Sequence, residues 1–235
     1  MDTRPIGIFD SGVGGLTVLT ELRKKLPNEN YIYIGDTKRF PYGSKSKETI
    51  IQISKRIVDT LISKKVKLIV IACGTATSQA LEELKQIYNI PIIGIIEPTV
   101  ENQMNETVKR VGVIATRGTI RSKVWETKIC KKNPSITILS KETPLLAPMA
   151  EEGWIENEVA RSAIKEYMKE WKKENLDALI LGCTHYPLFE KLLRKELGDK
   201  IKIINTGKEI AKSLEQYLKE NDLKNEGIGT EEIYL

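Results

Sequence analysis

The chain has 235 residues, of which 40% are hydrophobic and 29% charged, so it has the composition of an ordinary globular protein of one large or two small domains. Its net charge is only +5, no basic block is interleaved with aromatic residues, and no apolar run reaches the ~20 residues of a membrane helix, so neither nucleic acid nor a membrane is an expected partner. Three cysteines without a C-x-x-C pair, and no secretory leader before the first strand, predict a cytoplasmic protein.

The first predicted elements are a strand that ends in Asp10, a glycine-rich turn and a helix. The turn does not fit G-x-G-x-x-G, because Thr17 stands at the third glycine position, and it has no Walker lysine. We therefore interpret the turn as a close approach of the backbone to a small ligand. A carboxylate such as Asp10 at a strand end is either a helix N-cap or a catalytic group.

A second strand at 31–36 leads into a turn that contains Pro41, Tyr42 and Gly43. Proline stiffens such a turn, the tyrosine offers a hydroxyl, and glycine lets the backbone approach a ligand. The alternative is a surface turn without function. A helix is predicted from Ser46 to Ser63.

Five apolar residues from Leu68 end abruptly at Cys73, and a helical pattern follows, which predicts a buried strand, a turn and a helix. A thiol at that position faces the free N–H groups and the positive end of the helix, so we expect its thiolate to be favoured. A fourth strand at 91–96 completes a strand–helix alternation that is typical of a parallel sheet wrapped by helices.

The same plan restarts at Glu97 and leads to a second cysteine at a strand end, Cys183. The further predicted elements are a strand, turn and helix at 110–122, a strand at 136–139, a loop at 144–153, a helix at 157–173, and strands at 178–182 and 200–204, with a helix at 207–220 and a short strand at 233–235. We therefore predict two similar α/β domains with the active site in the cleft between them. One comprises 1–97 and 206–235, and the other 98–205.

Several kinds of site could explain the two strand-end cysteines. A structural zinc site needs four ligands in tight groups, which three cysteines and one histidine do not provide, and a thioredoxin-like pair would show C-x-x-C. A cysteine hydrolase could use Cys183 with His185 but leaves Cys73 without a role. Two thiols on opposite faces of one carbon, one removing a proton and the other returning one, would catalyse racemisation without a cofactor or metal. Two buried structural cysteines are the remaining alternative.

Several motifs together resemble glutamate racemase, a family of the cofactor-independent aspartate/glutamate racemase superfamily, from about Ile6 to Ala211. They are Phe9-Asp10-Ser11-Gly12-Val-Gly-Gly-Leu-Thr, Gly35-Asp-Thr, Pro41-Tyr42-Gly43, Ala72-Cys73-x-Thr75-Ala, Ile114-Ala-Thr116-x-Gly-Thr119, Glu151-Glu-Gly and Leu181-Gly-Cys183-Thr184-His185-Tyr-Pro.

The resemblance implies a catalytic pair, Cys73 and Cys183, with Asp10 assisting the first and Glu151 and His185 the second. The substrate-binding residues it implies are Asp10, Ser11, Pro41, Tyr42, Gly43, Gly74, Thr75, Thr116, Thr119, Thr184 and His185. It also implies a homodimer that makes D-glutamate for peptidoglycan in the cytoplasm. Alternatives are racemisation of aspartate or another amino acid, or an amino-acid-binding protein of weak activity.

One residue departs from the family pattern, in which asparagine follows the first cysteine, whereas this chain has Gly74. An asparagine amide could donate a hydrogen bond to the substrate carboxylate, so restoring it is expected to improve the use of glutamate. The competing hypothesis is that glycine makes room for a different substrate or a shifted loop, in which case asparagine would clash.

Overall fold

Two parallel sheets form the framework of the computed structural model, which describes residues 1–235. The first sheet has the strand order β4-β3-β1-β2-β9 and the second the order β6-β5-β7-β8, with every neighbouring pair parallel. The strands are β1 (Ile6–Asp10), β2 (Tyr31–Gly35), β3 (Leu68–Ile71), β4 (Ile92–Gly94), β5 (Arg110–Ala115), β6 (Thr137–Glu142), β7 (Ala178–Leu181), β8 (Lys202–Asn205) and β9 (Glu231–Tyr234). The predicted fold class is therefore confirmed.

Ten α-helices connect and cover these strands. They are α1 (Leu16–Lys25), α2 (Lys47–Ser63), α3 (Gly74–Ile87), α4 (Ile96–Gln103), α5 (Arg117–Arg121), α6 (Val124–Lys132), α7 (Leu146–Glu151), α8 (Glu158–Met168), α9 (Glu190–Leu197) and α10 (Thr206–Glu220). Short 3-10 turns lie at Thr37–Arg39, Tyr42–Ser44, Trp171–Lys173 and Tyr186–Phe189. None of the helices combines the length and the hydropathy needed to cross a bilayer.

Three apolar clusters fill the space between the sheets and the helices. The central cluster joins one face of each sheet, through residues such as Ile8 and Val113, to helices α1, α4, α6 and α10. The opposite face of the first sheet packs on α2 and α3, and that of the second sheet on α8 and α9. Because the central cluster is continuous, the two sheets share one core on the side away from their outer helices. The domain boundaries at 97 and 205 stay a prediction.

Helix starts follow local capping chemistry. The side chains of Ser46, Asn157 and Thr116 accept hydrogen bonds from backbone N–H groups in the first turns of α2, α8 and α5. The sulfur of Cys73 occupies the same position at α3, where it accepts from the N–H of Ala76 at 3.4 Å. The strand-to-helix transition after β3 therefore fixes the first thiol at the carboxyl edge of the first sheet.

Three predicted elements were wrong in extent. The predicted loop at 144–153 contains helix α7, because Pro148 lies in its first turn, where a missing backbone N–H has little cost. Residues 96–99, predicted to end a strand and restart the pattern, begin α4, with Pro98 in its first turn. The helix predicted to reach 173 ends at Met168, and a separate 3-10 turn follows at Trp171–Lys173.

A buried ion pair lies at the amino ends of β2 and β3, where it contacts segments near both ends of the chain. The ammonium of Lys67 lies 2.5 Å from a carboxylate oxygen of Glu29, and both side chains are almost fully buried, with 0% and 2% exposed. Lys67 also donates to the carbonyl oxygens of Asp2 at 2.9 Å and Leu223 at 2.6 Å. Glu29 in turn accepts from the backbone N–H of Asn225 at 2.9 Å. The pair thus anchors the N-terminal segment and the chain after α10 to one point.

We expect Lys67→Met to lower the free energy of unfolding by about 3–5 kcal/mol, because it leaves the carboxylate of Glu29 buried and unpaired. The measurement is urea-induced unfolding. The control is Lys191→Met, which breaks an exposed pair with Glu156 whose side chains are 77% and 58% exposed, and which should cost about 0–1 kcal/mol. Adding Glu29→Leu to Lys67→Met should recover part of the loss. Equal effects of the buried and the exposed substitution would contradict this account.

Candidate active site

The carboxyl ends of β3 and β7 place two thiols at one interface between the sheets. Cys73 lies between β3 and α3, Cys183 follows β7, and the two residues are only 4% and 7% exposed. Across the same interface the hydroxyl of Thr75 lies 2.8 Å from that of Thr116, which caps α5 at the end of β5. The structure therefore brings both predicted thiols into one closed cleft, at the edge where parallel sheets bind ligands.

Burial controls the ionisation of Cys73. Loss of solvent, together with a smaller contribution from the nearby charge of Asp10, raises the pKa of this thiol from its ordinary value of 9.0 to about 12. The N–H of Ala76 and the hydroxyl of Ser11 act in the opposite direction. The N–H groups at the helix start do favour the thiolate, as expected, but desolvation outweighs them, so the net shift of the Cys73 pKa is upward.

Cys183 begins a chain of side chains that ends at a carboxylate. Its sulfur lies 3.6 Å from Nδ1 of His185, and Nε2 of the same ring lies 2.7 Å from Oε1 of Glu151. Burial raises the pKa of the Cys183 thiol as well, opposed by the backbone N–H of His185. Glu151 is at the end of α7 and is partly exposed, whereas His185 is buried. The chain therefore connects the second thiol to a carboxylate at the edge of the cleft.

Asp10 is fully buried at the end of β1 and holds the glycine-rich turn. Its Oδ2 accepts hydrogen bonds from the N–H groups of Gly12 at 3.2 Å and Gly15 at 2.9 Å. Its Oδ1 lies 3.4 Å from the hydroxyl of Thr184, which follows Cys183. Burial raises the pKa of this carboxyl group, while His185 and the backbone N–H groups lower it. Asp10 is therefore both a structural anchor of the turn and a charge close to both thiols.

The glycines of this turn make room for the second domain. A Cβ on Gly14 would lie 2.4 Å from the ring of His185, and one on Gly12 would lie 3.0 Å from Oε1 of Glu151. The backbone does approach a partner closely, as the sequence indicated. In this structure, however, the partner is the histidine–glutamate pair of the second domain, so these glycines position the groups that face Cys183.

Hydroxyl groups line the region between the two thiol-bearing turns. Thr75, Thr116 and Thr119 form a triangle of hydroxyls separated by 2.8, 3.0 and 3.3 Å. Such groups can donate to a carboxylate or accept from an ammonium group. No three histidine, cysteine, aspartate or glutamate side chains are grouped so that they could hold a metal ion.

The predicted turn at 41–43 also lies at the cleft. A Cβ on Gly43 would lie 2.6 Å from Thr116, so this glycine allows the turn to contact the hydroxyl triangle. Pro41 follows a cis peptide bond. The hydroxyl of Tyr42 is buried and donates to Asp36 at 2.7 Å. The side chain of Tyr42 therefore holds the turn in place in this structure instead of pointing its hydroxyl toward a ligand.

Gly74 meets the backbone of the opposite domain. A Cβ at this position would lie 2.2 Å from the carbonyl oxygen of Gly182, which no real contact between a carbon and a backbone oxygen approaches. A side chain at position 74 would therefore require the backbone near Gly182 to shift, whereas the effect of asparagine on the use of glutamate and the alternative of a different substrate both stay predictions.

Four residues at the interface were not predicted from the sequence. Thr17 donates its hydroxyl to the carbonyl oxygen of Thr184 at 2.8 Å, Gln79 donates to the carbonyl oxygen of Gly118 at 2.8 Å, and Tyr33 donates to that of Gly12 at 2.6 Å. Asp36 accepts the hydroxyl of Tyr42. Thr17 and Asp36 gave a signal, since both lie in motifs of the racemase resemblance. The contacts of Gln79 and Tyr33 with distant backbone atoms leave no local pattern.

Similarity to known proteins shows the family to which the chain belongs. The chain matches the Asp/Glu/hydantoin racemase family over residues 16–214. Glutamate racemase of Geobacter metallireducens is 44% identical over 224 residues, which are 95% of this chain and 83% of that protein.

Two solved structures share the fold. A glutamate racemase isoform of Bacillus anthracis has a TM-score of 0.95 and 34% identity, covering 99% of this chain and 88% of that one. Glutamate racemase of Francisella tularensis, in complex with D-glutamate, has a TM-score of 0.92 and 40% identity, covering 100% and 88%. With matches over nearly its whole length, the chain belongs to the Asp/Glu/hydantoin racemase family, together with the glutamate racemases to which it is similar.

Proposed function

We propose that this chain is an isomerase that interconverts L- and D-glutamate by acid/base chemistry of two thiols. The observation that supports this most directly is the pair of buried cysteines in one cleft, each with its own polar partner. Cys73 has Asp10 nearby, and Cys183 has His185 and Glu151. The similarity to glutamate racemases, one of them solved with D-glutamate, supports glutamate as the substrate.

In the proposed reaction one cysteine, as thiolate, removes the α-proton of glutamate and becomes a thiol. The electron pair of the broken C–H bond stays on the substrate as a carbanion delocalised into the α-carboxylate. The opposite cysteine, initially a thiol, then gives its proton to the other face of the same carbon and becomes a thiolate. The product has inverted configuration, and the reverse reaction exchanges the two roles.

Because the pKa values of both thiols are raised, we propose that the bound substrate helps one of them to ionise. Burial in the cleft favours the neutral thiol at Cys73 and at Cys183. The ammonium group of a bound amino acid would bring a positive charge between them, and an opposite charge in a dry site stabilises a thiolate strongly. Asp10 or His185 would take the proton from the thiol that becomes the base. Binding and activation would therefore occur in one step.

We propose roles for the remaining predicted residues from their positions. The hydroxyls of Ser11, Thr75, Thr116, Thr119 and Thr184 would hold the ammonium and α-carboxylate groups, and the backbone around Pro41, Tyr42 and Gly43 the distal carboxylate. D-Glutamate formed in this way would supply peptidoglycan synthesis in the cytoplasm, and the working enzyme would be a homodimer. A substrate panel that includes aspartate tests the choice of amino acid.

We expect Cys73→Ala and Cys183→Ala each to abolish racemisation, because each face of the α-carbon needs its own proton donor and acceptor. The measurement is the loss of optical rotation of L- and D-glutamate without added pyridoxal phosphate or metal. Cys130→Ala is the matched control, since Cys130 is exposed and lies outside the cleft, and it should leave the rate unchanged. Near-normal racemisation by either cleft variant would sink the two-thiol mechanism.

A second prediction concerns the thiols of the free protein. Because burial raises the pKa of Cys73 to about 12 and that of Cys183 as well, neither should ionise before the ordinary pKa of 9.0 is passed. The folded state binds these protons more tightly than the unfolded chain, so stability should fall as pH rises from about 9 toward 12. Thiolate absorbance in the ultraviolet, compared between the wild type and Cys73→Ala, measures the ionisation. A thiolate at Cys73 in the substrate-free protein at neutral pH would contradict the prediction.

A further inference from the structure

Phe40, in the segment between β2 and α2, packs on the only histidine of the chain. The centroids of its ring and of the His185 imidazole lie 5.6 Å apart, and the two ring planes are tilted by 56°. Both values are those of a favourable contact between aromatic rings. Phe40 precedes the Pro41-Tyr42-Gly43 motif without being part of it, and the two-thiol mechanism described above gives it no role.

The phenyl ring lies beside the hydrogen bond between His185 and Glu151. A Cβ on Gly12 would lie 3.0 Å from Oε1 of Glu151 and 3.2 Å from Cδ2 of Phe40, so both groups contact the same side of this glycine. The same Oε1 lies 2.7 Å from Nε2 of His185. Phe40 also packs against the apolar cluster on the outer face of the second sheet, which contains Cys183. The ring therefore covers the acid/base partners of the second thiol.

A buried carboxylate holds the segment that carries Phe40. Oδ1 of Asp36 accepts a hydrogen bond from the guanidinium of Arg39 at 2.8 Å, and Oδ2 accepts one from the hydroxyl of Tyr42 at 2.7 Å. The two donors lie on either side of Phe40 in the chain, and bonds to an ionised group are the stronger kind of hydrogen bond. The position of the phenyl ring is therefore fixed within its own segment and does not depend on His185.

The orientation of the imidazole decides whether it can serve Cys183. An ionised carboxylate only accepts hydrogen bonds, so the bond to Glu151 assigns the ring proton to Nε2. In a neutral ring Nδ1 then has the free electron pair, and Nδ1 is the nitrogen that lies 3.6 Å from the Cys183 sulfur. Rotation of the ring would break both contacts. Besides Phe40, the imidazole contacts the backbone of Gly14, where a Cβ would lie 2.4 Å from the ring.

We propose that Phe40 is a positioning residue whose ring keeps the His185 imidazole oriented between Cys183 and Glu151 and keeps water from the bond between His185 and Glu151. The inference rests on the proposed two-thiol racemisation and deepens it, because a residue of the β2–α2 segment then supports proton transfer at the second thiol. A general acid or base typically contributes about 100-fold or more to a rate, and a misplaced one keeps part of that effect.

The test compares Phe40→Ala with Phe40→Leu in the full-length protein. Alanine removes the cover over His185, whereas leucine keeps an apolar side chain there. We expect kcat for L- and D-glutamate to fall by about 10-fold in Phe40→Ala, with little change in KM, because proton transfer is impaired and substrate contacts are kept. Phe40→Leu should recover most of the rate.

A second measurement needs no activity. Because the chain has a single histidine, nuclear magnetic resonance of the substrate-free protein labelled with ¹⁵N-histidine observes the His185 ring without overlap. In the wild type at neutral pH, the Nε2 proton should exchange with water slowly enough to give a signal. The signal should persist in Phe40→Leu and disappear in Phe40→Ala, because only alanine exposes the bond to Glu151.

Ile90→Ala is the matched control for loss of apolar packing. Ile90 is also partly buried against an apolar cluster, but it lies before the amino end of β4, whereas the cleft lies at the carboxyl ends of the strands. This variant should leave kcat and the imidazole signal unchanged. Unfolding in urea measures the stability that each variant loses, so an effect on His185 is separated from general destabilisation.

An unchanged kcat or a persistent Nε2 signal in Phe40→Ala would overturn the proposal. An equal fall of kcat in Phe40→Leu would also overturn it, since an apolar cover would then not be what matters. If Phe40→Ala does not fold, Phe40→Val, which removes less of the side chain, is judged by the same criteria. If the wild type does not racemise glutamate, the proposed function is wrong, and the imidazole signal alone decides whether Phe40 positions His185.

Discussion

Desolvation of two thiols is the interaction on which the rest of the site depends. The sheets close around Cys73 and Cys183 and remove them from water, and this loss of solvent opposes the thiolate that proton abstraction requires. A charged intermediate benefits from the same dry environment once it is paired, because electrostatic interactions there are several times stronger than in water. The closed cleft is therefore poorly suited to a free thiolate but well suited to a thiolate beside a bound ammonium group. In the proposed mechanism, binding of the substrate would also activate one of the thiols.

The two domains contact each other closely at the cleft, and glycines at the contact positions leave the space that this requires. Gly12 and Gly14 make space for Glu151 and the ring of His185, while Gly43 makes space for Thr116. Hydrogen bonds stabilise these close contacts between the domains. One of them runs from the hydroxyl of Thr17 to the carbonyl oxygen of Thr184. The acid/base partners of Cys183 are consequently fixed by the turn that Asp10 organises on the first domain. The surroundings of Cys183 therefore include residues of both domains, namely His185 and Thr184 of its own domain and Asp10 of the other.

Much of this arrangement could be predicted from the sequence, because apolar runs that end in a small polar turn define parallel strands and their carboxyl ends. That logic placed Asp10, Cys73 and Cys183 at one edge, and the structure agrees. It failed where long-range contacts decide the outcome. The helix content of 144–153 depends on packing of α7, the pKa of Cys73 depends on burial, and the hydroxyl of Tyr42 is taken by Asp36. None of these leaves a pattern along the chain.

Gly74, which stands where the family pattern has asparagine, can be interpreted in two opposite ways. Compared with the family motif, Gly74 lacks the side-chain amide that could bind a substrate carboxylate, which predicts weaker binding of the substrate. Seen in the folded chain, any side chain at this position would collide with the main chain of the opposite domain, and the closed cleft could not form as it does here. The two effects oppose each other, because the missing hydrogen bond costs about 1.5–3 kcal/mol whereas a side chain at position 74 requires the turns around Gly74 and Gly182 to move apart.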